Sequence, residues 1–162
     1  MDEAAGPIRV LLVDDEPDFL ESVSYWLTSK GYAVQKTSDG ESALELIRTN
    51  PPQVVFLDCM MPKMDGFETL RRIRAINRTL PVIMVTAGIS DENKFAGARA
   101  LGMSGFFPKG SSLDQLAKIL EVALRLIPKS AAEASPAAAP AAQAPQRPGF
   151  FKALLDRLLP RK

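Results

Sequence analysis

Short apolar runs recur along the chain at near-regular intervals, separated by longer stretches in which apolar residues return every three or four positions. The runs are IRVLLV from Ile8, YAVQKT from Tyr32, VVFL from Val54, PVIMVTA from Pro81 and SGFF from Ser104. Each is short, rich in Val, Ile, Leu or Phe, and reads as a buried strand. The first helix is predicted from about Pro17, a good first helical position, with Leu20, Val23, Trp26 and Leu27 inward until Lys30-Gly31 stops it. A second starts near Asp39-Gly40, turns in Ala43, Leu44 and Ile47, and ends at Asn50-Pro51-Pro52. The third covers 66–76 with Phe67, Leu70, Ile73 and Ile76 as its apolar row. The fourth, capped by Ser90 or Asp91, reaches Leu101-Gly102, and the fifth runs from Ser111 or Ser112 to Ile127 before Pro128.

Strands that alternate with helices and are apolar almost throughout predict a parallel sheet covered on both faces. Right-handed crossovers leave few topologies, and the expected one is a doubly wound α/β sheet in the order 2-1-3-4-5. Ligands of such sheets sit beyond the carboxyl ends of the strands, at the switch between the first and the third. Asp14 and Asp15 leave the first strand, Asp58 ends the third, Thr86 ends the fourth and Lys109 follows the fifth. The topology therefore predicts that five residues remote in sequence share one rim.

The chemistry of that rim starts from a repulsion. Carboxylates held a few ångströms apart raise each other's pKa unless a cation lies between them. Three acids with a threonine and a lysine suit a hard divalent ion, and Mg²⁺, with its preference for oxygen ligands, is the expected cofactor. A carboxylate in such a site can attack phosphorus and carry the phosphoryl group as an acyl phosphate. Asp58, alone at its strand end, is the candidate nucleophile; Lys109 would pair with the phosphate and the Thr86 hydroxyl would hydrogen-bond it. Taken singly, paired acids after a strand are ordinary helix-start residues, and a lone Thr or Lys there has a plain structural explanation. The joint placement carries the reading.

Composition narrows the setting. The chain has 162 residues, 46% hydrophobic and 24% charged, enough for one domain with its own core. A net charge of only +1 disfavours a protein built to hold nucleic acid. The single cysteine, Cys59, cannot form an internal disulfide, nothing at the N-terminus reads as a signal peptide, and a cytoplasmic location is expected. No apolar run approaches the roughly 18 residues needed to cross a bilayer. Histidine is absent, so any phosphohistidine donor must be another protein.

The motifs VDDE at Val13, LDCMMPKMDG at Leu57, VTA at Val85 and GFFPK at Gly105 together resemble the receiver domains of bacterial response regulators, over residues 7–127. That resemblance implies the flavodoxin-like receiver fold and a phospho-acceptor at Asp58, served by a histidine kinase or histidine phosphotransfer protein in a two-component phosphorelay. It also implies a domain that promotes its own phosphorylation and dephosphorylation without being an enzyme on another substrate. By the same likeness Asp15, Asp58 and the Met60 backbone carbonyl ligate Mg²⁺ directly and Asp14 acts through water. Thr86 and Phe106 form the switch pair: movement of Thr86 towards the phosphate frees space into which the ring turns, altering the surface of the fourth helix, fifth strand and fifth helix. Output then runs through a downstream protein target, with a homodimer left open. In one departure from the family, Lys109 is followed by Gly110 instead of a cis proline. A cis bond before a residue other than proline costs about 2.5–4 kcal/mol, which opens the way to a trans bond using glycine's wider range; the sequence leaves cis and trans both open.

Beyond the receiver, residues 128–148 are Ala/Pro-rich without an apolar period and read as a flexible linker. Residues 149–162, GFFKALLDRLLPRK, read as a short basic amphipathic helix, with Phe150, Phe151, Leu154, Leu155 and Leu158 on one side and Lys152, Asp156 and Arg157 on the other. Such a helix is too short to be stable alone in water, so its ordering calls for a partner groove, an anionic membrane or the receiver itself. Two readings compete with the phosphorelay protein: a phosphorylation-independent adaptor of receiver shape, and a Mg²⁺-dependent aspartyl-phosphate phosphatase. The second is weakened because haloacid-dehalogenase-type enzymes want an aspartate where Met60 stands.

Overall fold

A computed structural model of the chain describes residues 6–88 and 91–127. The linker over 128–148, the amphipathic segment over 149–162 and Ser90 lie outside the described residues. Strands and helices alternate strictly: β1 (Arg9–Val13), α1 (Pro17–Ser29), β2 (Ala33–Thr37), α2 (Gly40–Thr49), β3 (Val54–Asp58), α3 (Gly66–Ile76), β4 (Val82–Thr86), α4 (Glu92–Ala100), β5 (Gly105–Pro108) and α5 (Leu113–Arg125). The five strands form one parallel sheet in the order β2-β1-β3-β4-β5. This is the order the sequence predicts, and α3 occupies the predicted residues.

The pleat divides the core in two. Leu11, Val13, Val55, Leu57, Val82 and Met84 face α2, α3 and α4. Their neighbours Val10, Leu12, Val54, Phe56, Ile83 and Val85 face α1 and α5. Because successive side chains of a strand point to opposite faces, a sheet covered on both sides needs apolar residues throughout, and β3 and β4 are buried end to end. Phe106 and Phe107 divide in the same way: Phe106 packs half-buried on the α4 side, Phe107 fully buried on the α5 side.

Helix starts follow their caps. The Asp39, Asp65, Asp91 and Ser112 side chains accept hydrogen bonds from backbone N–H groups in the first turns of α2, α3, α4 and α5. The helix faces depart from the predicted rows at four residues. Ile76 is exposed and Trp26 half-buried, while Ser22 and Thr69 are buried. Both hydroxyls donate to a carbonyl one turn back, Ser22 to Asp18 at 2.6 Å and Thr69 to Asp65 at 2.8 Å, which lets a polar side chain take an inward position.

At the amino ends of the strands the connections are stitched together. The Arg74 guanidinium on α3 donates to four carbonyls: Leu101 (2.7 Å), Gly102 (2.9 Å), Leu80 (2.9 Å) and Asn77 (3.2 Å). It thereby ties the last turn of α3 to the end of α4 and the approach to β4. Among the described residues no helix is long and apolar enough to cross a membrane.

Candidate functional site

β1, β3, β4 and β5 all end at the same edge, and their last residues build the site. Asp14, one residue past β1, is 1% exposed, and Asp58, the last residue of β3, is 2% exposed. Asp14 is held by the backbone: its N–H donates to the Thr37 carbonyl at 3.1 Å and its Oδ1 accepts from the Glu16 N–H at 2.9 Å. That turn brings Glu16 back over the strand end. Among the described residues, Asp14, Glu16 and Asp58 each offer a carboxylate oxygen within 4.8 Å of the other two.

Lys109 reaches all three. Its Nζ lies 2.6 Å from Glu16 Oε1, 2.8 Å from Asp14 Oδ2 and 3.3 Å from Asp58 Oδ2. It is placed by its own N–H, which donates to the Thr86 carbonyl at 2.6 Å, and by the turn after it, where Gly110 takes φ +91°. A side chain would be strained in that conformation, which accounts for glycine after the lysine. Among the described residues there is no cis peptide bond, so the Lys109-Gly110 bond is trans.

The electrostatics are tense. Burial, with the Asp14 charge beside it, pushes the Asp58 carboxyl up to about 6. Burial also raises Asp14, and Lys109 only partly opposes this. For Lys109 the order reverses: burial alone would lower its pKa, but hydrogen bonding and charge from Asp14, Glu16 and Asp58 outweigh it and leave the ammonium well above its ordinary value. One point stays unmet. The contact of Asp14 Oδ2 with Lys109 is an ion pair off hydrogen-bond geometry, and this fully buried oxygen accepts no hydrogen bond. Among the described residues the Lys109 ammonium is the one cation that reaches it, and that single positive charge is shared among three carboxylates. An all-oxygen set of three clustered carboxylates, offset by only one lysine, fits a hard divalent ion.

The turn after β3 is shaped by its glycine. Gly66 passes so close that a Cβ there would meet the Asp58 carbonyl oxygen at 2.0 Å, and its N–H donates to the Cys59 carbonyl at 3.0 Å. Asp65 caps α3 by accepting from the Glu68 N–H at 2.9 Å, and Lys63 takes a positive φ of 69°. Asp65 and Gly66 therefore serve geometry. Met60 is 63% exposed, and its N–H donates to Asp58 Oδ1 at 3.2 Å.

Thr86 ends β4 with its hydroxyl turned along the loop, donating to the Gly88 carbonyl at 2.6 Å and accepting from the Gly88 N–H at 3.0 Å. Phe106 meets Phe95 edge to face at 6.0 Å, and Phe95 meets Phe67 in the same way at 5.5 Å. Asp14, Asp58, Thr86 and Lys109 thus meet at one rim as the sequence predicts. Asp15 is exposed and stands outside the group of three acids, in which Glu16 takes part instead. Glu16 could have been found from the DxE spacing of Asp14 and Glu16, since a turn closed by the first acid on the third residue's N–H brings the two together. The predicted docking residues Phe150, Phe151, Leu154, Leu155 and Leu158 lie outside the described residues.

A rim of buried carboxylates, a lysine and a hydroxyl on a doubly wound five-stranded sheet defines a receiver. The family model of the response regulator receiver domain matches residues 10–121, and the chain belongs to this family of two-component response regulators. Response regulator MprA of Mycobacterium sp. strain KMS is 39% identical over 119 residues, covering 74% of this chain and 51% of that one. MprA of Mycobacterium tuberculosis strain ATCC 25177 / H37Ra is 36% identical over 127 residues, 78% of this chain and 55% of that one. Among solved structures, chemotaxis protein CheY4 of Vibrio cholerae superposes with a TM-score of 0.68 at 31% identity, covering 75% of this chain and 100% of that one. The receiver domain of the Francisella response regulator 1452 gives 0.65 at 32% identity, covering 73% and 98%. The chain spans about half the length of the curated relatives it matches. The expectation that nucleic acid is no partner draws no support from them, since half of each MprA chain lies outside the match.

Proposed function

We infer that the receiver accepts a phosphoryl group on Asp58 from the phosphohistidine of a histidine kinase or histidine phosphotransfer protein, and signals through contacts with a downstream protein. In the transfer, an Asp58 carboxylate oxygen forms the new bond to phosphorus, the bond from phosphorus to the donor imidazole breaks, and the imidazole takes up a proton. Lys109, 3.3 Å from Asp58 Oδ2, supplies a fixed positive charge for the incoming phosphoryl oxygens. The Thr86 hydroxyl, now bonded to Gly88, can exchange that partner for a phosphoryl oxygen, and Phe106 on the same side of the sheet follows it.

Mg²⁺ bound here would neutralise the acids and the charge that spreads over the phosphoryl group. Asp14 and Asp58 would hold it, with Glu16 as a third carboxylate within reach. Asp15 and the Met60 carbonyl remain candidate ligands by family likeness. The observation that carries the proposal is the buried acid pair itself: two nearly inaccessible carboxylates, Asp14 and Asp58, share one lysine.

The test is incubation with acetyl phosphate or phosphoramidate and Mg²⁺, followed by intact mass. A phosphoryl adduct on the wild type that disappears in Asp58→Asn is the expected result. No adduct with any donor would sink the reading and leave a phosphorylation-independent adaptor. Mg²⁺ dependence is tested separately with Asp14→Asn and Asp15→Asn, which are expected to weaken Mg²⁺ binding. No observation specifically favours the adaptor or the phosphatase reading.

A further inference from the structure

A pocket of about 210 Å³ opens beside the strand ends, walled by Met60, Phe67, Thr86, Lys94 and Phe95. It is smaller than the roughly 300–1,000 Å³ clefts that enclose whole cofactors. Its size and walls suit one aromatic side chain: Phe67 and Phe95 stand edge to face, and the exposed thioether of Met60 forms the lip. Around the mouth the charge is mainly negative. Asp91 lines the pocket and Asp65 stands beside it, paired with the lining Lys94 at 3.2 Å.

An occupant should therefore combine an aromatic ring with positive charge. This chain carries such a segment. In residues 149–162 the pair Phe150-Phe151 is followed by Lys152, Arg157, Arg161 and Lys162, with Asp156 as the single acid. The first 128 residues have net charge −3 and the last 34 net +4. An anionic membrane would attract the segment but repel the domain, whereas docking on the domain satisfies both. The tether is long enough: α5 runs about 20 Å away from the rim, and the 22 residues between Ile127 and Phe150 have a maximum reach of roughly 70 Å at about 3.1 Å each. A tether of that length gives an effective concentration in the millimolar range, so weak contacts suffice.

We propose that residues 149–162 dock back on their own receiver, with one ring of the Phe150-Phe151 pair in the pocket of Met60, Phe67 and Phe95 and the basic residues against the acidic groups beside it. Because Thr86 and Lys94 wall the same pocket, a docked segment occupies ground that the switch must use. The docking itself does not depend on Asp58 being a phospho-acceptor.

The test uses the full chain with ¹³C-methyl methionine and a nitroxide on Ala153→Cys; Cys59 is buried and leaves the introduced thiol as the one that labels. The expected result is several-fold stronger broadening of the Met60 methyl than of Met103, which lies at the far end of the sheet between α4 and β5. That difference should be lost in Phe150→Ala/Phe151→Ala and weakened by Lys152→Glu/Arg157→Glu or by high salt. Equal broadening at the two methionines overturns the proposal. So does a Met60 effect that grows with protein concentration, which assigns the contact to a second copy. Absence of a Met60 effect together with binding to phosphatidylcholine/phosphatidylglycerol vesicles overturns it in favour of a lipid surface.

Discussion

The two ends of the sheet are built on opposite electrostatic plans. At the amino ends of the strands, polar groups meet partners: Arg74 holds four carbonyls, Asn77 Oδ1 accepts from the N–H groups of Thr79 and Leu80 at 2.9 Å, and Arg9 reaches the Pro51 carbonyl. At the carboxyl ends, buried acids crowd one lysine, and an Asp14 oxygen is left without a hydrogen bond. The first end holds the domain together, while the second keeps charges that the fold would be more stable without. Functional sites commonly carry such a cost, and the rest of the molecule must offset it.

The sharpest way to break this comparison is Arg74→Ala. Four carbonyls would lose a charged donor, and the expected loss is about 2–4 kcal/mol, read as a lower urea midpoint with unchanged slope. At the other end the sign should reverse. Asp14→Asn removes a buried, repelled charge and is expected to stabilise the cation-free protein by about 1 kcal/mol while weakening Mg²⁺ binding. Stability that falls in both variants would erase the contrast.

Smaller again is the pH effect of Asp58. Its folded value of about 6 stands above the ordinary 3.8, so the folded state binds the proton more tightly than the unfolded one. The resulting stabilisation is fully present below about pH 4 and is lost as pH rises through 6. Without Mg²⁺, the wild type should therefore lose stability relative to Asp58→Asn across that window, as urea midpoints at successive pH values would show. The least effect belongs to Lys94→Ala: its pair with Asp65 is largely exposed, and the expected change is below about 1 kcal/mol.

The fold was legible because its two periods are clean. Strictly alternating faces in β1, β3 and β4 and three-to-four spacing in the helices leave little else for the chain to form. Asp14, Asp58, Thr86 and Lys109 were legible because the topology itself places strand ends together. Glu16 was not, because its position depends on a local turn, closed by Asp14 Oδ1 on the Glu16 N–H, that apolar periodicity does not encode. Ile76 was misassigned inward because helix spacing alone does not show where the neighbouring sheet stops. Arg74 was hidden for another reason: a charged residue on a helix ordinarily reads as solvated surface, and its partners are loop carbonyls up to 28 positions away in sequence.

The Gly66 contact has a mechanical consequence. With no gap between that residue and the Asp58 carbonyl, and with the Gly66 N–H bonded to Cys59, the loop over 58–66 is a closed buckle joining strand to helix. The end of β3 and the start of α3 are thus fixed to each other at the acidic rim, while the other end of the same helix is fixed to α4 through Arg74.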